Sequence, residues 1–182
     1  MGSGQTIFVF RGANDASGWQ ILNDGVMGGL SSSSFHISPS GGAVFSGNVS
    51  LDNGGGFASV RSPPIGQDLS PRDSFVLRIC GDGHRFKVNV RTESGFDAPT
   101  YQCAFETQAG EWQECRLPFA VFQPTFRGRA LTGVPALNAA QVRSVGFLIA
   151  NKQNGPFRLE IDWVKVSGSN CTLRQIPRSS TD

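Results

Sequence analysis

The chain has 182 residues, 38% hydrophobic and 16% charged, with 23 Gly and 14 Phe; an average domain carries about 25% charged residues, so this one is rich in turns and in aromatic core formers. The formal net charge is +2, without a long run of like charge, which excludes nucleic-acid binding driven by bulk charge. No stretch approaches the roughly 18 apolar residues of a bilayer span, and the first thirty residues lack a secretory signal, so a soluble, non-secreted single domain is expected.

Along the chain, Met1-Gly2-Ser3-Gly4-Gln5-Thr6 fits the loose N-myristoylation pattern, a match that so short a pattern produces by chance. Period-two alternation then predicts strands at 6–10, 43–51, 56–61, 74–80, 85–91, 100–106, 112–117, 145–150 and 157–163. In 85–91, Phe86, Val88 and Val90 take one side and Arg85, Lys87, Asn89 and Arg91 the other. In 157–163, Phe157, Leu159, Ile161 and Trp163 alternate with Arg158, Glu160 and Asp162. Trp163 is therefore expected in the core. Clusters of Gly, Asn, Asp and Pro separate these runs. One helical turn fits Leu137 to Val142, with Asn138 capping Ala139-Ala140-Gln141; it is too short to cross over between parallel strands.

These elements describe an all-β fold, an antiparallel β-sandwich or jelly roll occupying residues 5–168. Residues 169–182 lose the alternation and read as a flexible C-terminal tail. Chemistry-bearing patterns are sparse. His36 and His84 are not spaced with Cys or Asp as metal ligands would be. Cys80, Cys103, Cys115 and Cys171 form no C-x-x-C pair, and Cys103 alternates with Tyr101 and Phe105 as a small hydrophobe would. Asn48-Val49-Ser50 and Asn170-Cys171-Thr172 are glycosylation-type triplets, expected unmodified. Neither Gly-x-Ser-x-Gly nor a phosphate-cradling glycine motif occurs. No catalytic residue, metal or cofactor is expected. Glu160 and Asp162 would share the polar side of a strand and pair with Arg85, Lys87, Arg91 or Arg158 across strands.

Two segments stand apart. Trp19 and Asn23-Asp24-Gly25-Val26-Met27-Gly28-Gly29-Leu30-Ser31 form a long loop with a Trp and a Met among glycines. Leu117 to Arg129 holds Phe119, Phe122 and Phe126 but no alternation, and Pro118 and Pro124 are expected to break any sheet ladder there. Phe126-Arg127-Gly128-Arg129 combines an aromatic with two Arg, the residue types enriched at interface anchors. Asp24, Met27, Phe119, Phe122, Phe126, Arg127 and Arg129 are the candidate partner-binding residues.

In order along the chain, Trp19 with Asn23 to Ser31, Phe45 to Leu51, Asn53 to Arg61, Leu77 to Gly83, Leu117-Pro118-Phe119, Phe126-Arg127-Gly128 and Lys152 to Trp163 form a series that closely resembles the CIA30 family, the complex I intermediate-associated proteins, from about residue 7 to about 166. The resemblance implies a galactose-binding-domain-like jelly roll. It also implies a non-catalytic assembly factor, chaperone-like, that binds subunits or intermediates of a membrane electron-transfer complex, either complex I (NDH-1) or a photosynthetic complex. Gly25, Gly28, Gly29, Gly55, Arg61, Asp82, Asp162 and Trp163 match family motif positions and are expected to be structural, the glycines through positive-φ turns and the Asp and Arg through buried bridges. The lack of a transit extension points to a bacterial, cyanobacterial-type cytoplasmic protein peripheral to the thylakoid at most, or to a trimmed organellar one. A carbohydrate-binding module, with Trp19, Trp112 and His84 as sugar contacts, is the alternative.

Overall fold

In the computed structural model, residues 4–93 and 98–168 are described. Met1 to Ser3 and the expected tail 169–182, with Cys171 and the triplet at Asn170, lie outside them. Thirteen strands follow in order: β1 (Gln5–Val9), β2 (Gln20–Ile21), β3 (Ser32–Ile37), β4 (Ala43–Val49), β5 (Ala58–Arg61), β6 (Ser74–Cys80), β7 (Arg85–Arg91), β8 (Thr100–Glu106), β9 (Trp112–Pro118), β10 (Gln123–Phe126), β11 (Arg129–Ala130), β12 (Ser144–Ile149) and β13 (Gly155–Ser167). One sheet runs β3-β4-β13-β6-β9, with β1 also on β13; the other runs β11-β10-β8-β7-β12-β5-β2. Every strand pair is antiparallel. The inner faces meet in one core, where Phe45, Leu77, Ile79, Phe86, Val90, Leu159 and Ile161 are fully buried and the rings of Phe86 and Phe157 join the two sheets at 6.4 Å. Burying each such side chain stabilises the fold by roughly 1.5–3 kcal/mol. The turn at Ala139–Gln141 forms with Asn138 Oδ1 accepting from the Ala140 N–H at 3.0 Å, as its sequence predicts.

Three expectations change. β3 escapes the alternation reading because three consecutive serines supply half of it, and Ser is polar on either face. Pro124 does not break the ladder: it sits in β10 opposite Tyr101 of β8. Its carbonyl accepts from Leu131 at 2.9 Å. The N–H and C=O of one strand residue point the same way, so the missing donor faces that short outer segment and not β8. Trp163 is half-buried, not core. The register of β13 against β6 shifts between Ile161 and Trp163, placing Asp162 as an extra residue. This bulge reverses the alternation, so that Val164 and Val166 continue the inward series of Phe157, Leu159 and Ile161. Trp163 turns outward, with the Lys165 ammonium 4.1 Å from its ring centre.

Candidate functional site

The densest polar cluster is built on Asp24, at the start of a short 3-10 turn (Asp24–Met27) whose last cap is Gly28 at φ +85°. Its carboxylate is fully buried. It accepts from the Ser31 N–H at 3.0 Å, the Ser31 hydroxyl at 2.5 Å, the Gly56 N–H at 2.7 Å and the Phe57 N–H at 3.2 Å. Burial pushes the carboxyl upward, but the hydrogen bonds from Ser31, Gly56 and Phe57 outweigh it and hold it below the ordinary carboxylate value. One side chain thereby ties together two loops 32 residues apart. Asn23 adds to the tie, its Oδ1 accepting from the Ser33 hydroxyl at 2.9 Å and the Ser59 N–H at 3.2 Å. Asp24 is thus a loop clamp, and its buried carboxylate cannot touch a partner. The side chain of Met27 lies outside the described residues. Leu30 and Leu51, carried by the clamped loops, are exposed at 59% and 38%.

The clamp also accounts for two motif glycines, by close approach and not by backbone angle. A Cβ on Gly29 would lie 2.4 Å from Asp24 Cγ, and one on Gly55 2.7 Å from Asp24 Oδ2. Only Gly28 of the motif set follows the positive-φ expectation. Gly25 is exposed and a Cβ there would meet nothing; nothing in the structure explains it.

The second segment splits into two parts. Phe119 and Phe122 are 7% and 4% exposed, their rings packed on Phe75 at 4.9 and 5.8 Å, so both are core residues and not partner contacts. Phe126, Arg127 and Arg129 form a hairpin tip in which Arg127 and Gly128, at φ 49° and 78°, make the two-residue turn between β10 and β11. The Arg127 guanidinium lies 5.2 Å from the centre of the half-buried Phe126 ring; Arg127 and Arg129 are exposed. Register carried across the seven-stranded sheet sets this tip and the Asp24 loop at opposite ends and opposite edges. At about 3.3 Å per residue they are roughly 20 Å apart along the strands, so they do not form one surface.

Of the remaining motif residues, Asp82 accepts from the His84 N–H at 3.1 Å, from the Arg158 N–H at 2.7 Å and pairs with His84 Nδ1 at 2.7 Å. It joins the β6–β7 turn to β13. Asp162, the bulge residue, pairs with Arg11 and, at 3.3 Å, with Arg78. Both bridges are partly exposed. Glu160 pairs with Arg158 at 3.1 Å; Arg85, Lys87 and Arg91 lie on the other sheet and cannot reach Glu160 or Asp162 as the alternation alone suggested. Gln153, overlooked as a single residue, docks the β12–β13 turn: its side chain accepts from the Arg85 N–H at 2.9 Å and donates to the Arg85 and Ala150 carbonyls. Arg61 is half-buried on the outer face of β5 and forms no bridge among the described residues. Among the described residues, no three His, Cys, Asp or Glu side chains converge as metal ligands. Cys80 and Cys103 are free thiols raised by burial. Trp19 packs on Phe35 and Phe10 at 4.7 and 5.5 Å. Trp112 is 45% exposed, on the other sheet, under Arg78 at 5.4 Å. The two Trp share no face.

A family model described as complex I intermediate-associated protein 30 matches residues 8–161. The mitochondrial protein of that name from Drosophila melanogaster is 28% identical over 90% of this chain and 62% of its own length. Its Mus musculus counterpart is 28% identical over 91% of this chain and 57% of its own, so the chain spans less than two thirds of either relative. Among solved structures, a family 11 carbohydrate-binding module from Clostridium thermocellum, in complex with a mixed-linked tetrasaccharide, superposes with a TM-score of 0.66 at 18% identity over 92% of this chain and 96% of that one. That likeness is one of fold.

Proposed function

Since the chain belongs to the complex I intermediate-associated protein 30 family, we propose that it is an assembly factor that binds subunits or intermediates of a membrane electron-transfer complex and catalyses no reaction itself. The observation that carries this reading is the family match across residues 8–161. The names of the relatives place them in mitochondria. No helix among the described residues is long and apolar enough to cross a membrane, and the proposed action is peripheral, beside an energy-transducing membrane. A photosynthetic or NDH-1 complex is the partner in a cyanobacterial-type host, complex I in a mitochondrial one.

A rigid sandwich suits such a role, because loops held by a packed scaffold lose little freedom on binding. The hairpin tip of Phe126, Arg127 and Arg129 is the proposed anchor: an aromatic ring with a guanidinium already stacked on it offers both apolar area and directed hydrogen bonds. A tagged copy crosslinked in native membrane extract is expected to yield subunits of the complex by mass spectrometry. Replacing Phe126→Ala together with Arg127→Ala should lower their recovery severalfold while leaving the unfolding temperature unchanged. Clean isolation without any such subunit would refute the reading. Sugar binding has weaker support, since among the described residues no face gathers exposed aromatic rings.

A further inference from the structure

The two outer faces of the sandwich carry different chemistry. On the six-stranded sheet, cations and carboxylates are interleaved: Arg78 and Arg11 with Asp162, Arg158 with Glu160, Arg116 with Asp73. That is the pattern of a solvated face. On the seven-stranded sheet, register aligns Gln20, Arg61, Gly146, Asn89, Gln102 and Gln123 in one row across six strands, all pointing away from the core. Beside this row stand Lys87, Arg91 and Arg85, and among the described residues of these strands the sole outward carboxylate is Glu106, paired with Arg85 at the far end at 3.5 Å. The face is recessed. Ser144 and Leu148 point outward yet are only 7% and 9% exposed. The Asn89 side-chain oxygen is buried without a hydrogen-bond partner. Next to it Gly146 carries no side chain, and the Val60 carbonyl closes over it, 2.2 Å from where a Cβ would stand. Arg61 stands opposite Gly146 on β5, with no carboxylate among its described neighbours and the like charge of Arg91 close by. A half-buried guanidinium in such surroundings is stabilised by an anion. No aromatic side chain lies on this face among the described residues, so a stacking platform for sugar rings is lacking.

We infer that this recessed face is the docking groove for an extended acidic segment of a partner protein, with its carboxylates on Arg61 and Lys87 and its backbone amides on Gln102 and Gln123. Six strands at about 4.8 Å spacing give a row about 24 Å long, the reach of roughly seven extended residues. The inference deepens the assembly reading and stands apart from it experimentally, because peptide binding requires only the purified chain. A fluorescently labelled peptide alternating glutamate and glycine, about eight residues long, is titrated with the protein and followed by anisotropy. Saturable binding that weakens with added salt is expected, with Arg61→Gln reducing affinity about tenfold and Arg116→Gln, on the other outer face, leaving it unchanged. Lys87→Gln provides a second, independent loss. Overturning results are no saturable binding, equal weakening by Arg61→Gln and Arg116→Gln, or displacement of the peptide by a neutral mixed-linked glucan tetrasaccharide. Peptide binding without recovery of complex subunits in the crosslinking experiment would leave the groove standing and remove the electron-transfer complex as its partner.

Discussion

Removing the Asp24 carboxylate is the sharpest test of how this domain is held together. In Asp24→Ala, three backbone N–H groups, those of Ser31, Gly56 and Phe57, and one hydroxyl lose their acceptor at a buried position. A hydrogen bond to a charged group contributes about 1.5–3 kcal/mol, and an orphaned buried donor costs about 1–3 kcal/mol. Ser31 and Gly56 are partly buried, so water replaces some of what is lost, and a net cost of about 3–5 kcal/mol follows. Against a total stability of about 5–15 kcal/mol, and at about 2–4 °C per kcal/mol for a chain of this size, the thermal midpoint should fall by about 6–20 °C in calorimetry. Asp24→Asn should cost nearly as much. Both carboxylate oxygens accept from N–H groups, so either orientation of the amide sets its NH2 against a backbone donor. The pH dependence gives an independent arm. The folded-state carboxyl is depressed below its ordinary 3.8, so its contribution is complete above the unfolded value and is lost as pH falls through the folded one. The wild-type chain should therefore lose more stability than Asp24→Asn as pH is lowered from about 5 into the acid range. An Asp24→Asn protein with wild-type stability, or with the same acid limb, would refute the clamp.

Two further predictions follow from the strands. Ile161→Ala, at a fully buried site, should cost about 2–5 kcal/mol in urea denaturation, whereas Trp163→Ala, two positions on but beyond the bulge, should cost about 1 kcal/mol; equal losses would mean that the alternation continues unbroken. Gly146→Ala should cost more than about 3 kcal/mol, because its Cβ would meet the Val60 carbonyl at 2.2 Å and the β5–β12 ladder would have to part; it is read as a fall in expression and in unfolding midpoint.

The strands with near-regular alternation, β6, β7 and β8, were legible because a sandwich strand shows one apolar face to the core and the other to water. Period two carries that directly. Two things were not legible. A bulge adds one residue without changing composition, so nothing in Phe157 to Trp163 marks where the parity reverses; only the partner strand does. The role of Asp24 was written as a motif but not as a mechanism, since two of its four donors, Gly56 and Phe57, come from a segment more than thirty residues along the chain. Gly55 reads as a turn glycine for the same reason, because the carboxylate that crowds it is remote in sequence, and Gly29 because the fold turns a carboxylate five residues away back onto it. The recessed face was hidden too, because Arg61 sits on β5 and Lys87 and Asn89 on β7, two strands brought near each other only by β12 threading between them.

The long final strand also sets the order in which the protein can be made. β13 bonds β4, β6 and β1, and Gln5 finds its partner only in Val166. During synthesis at about 5–20 residues per second, the first strand therefore waits roughly ten seconds or more with its backbone unpaired, while β4 and β6 lack the strand that belongs between them. The six-stranded sheet closes only once β13 has left the ribosome, whereas the pairing of β7 with β8 is available well before. A nascent chain of this kind exposes unsatisfied strand edges for most of its synthesis, the condition in which strands of neighbouring chains can pair instead.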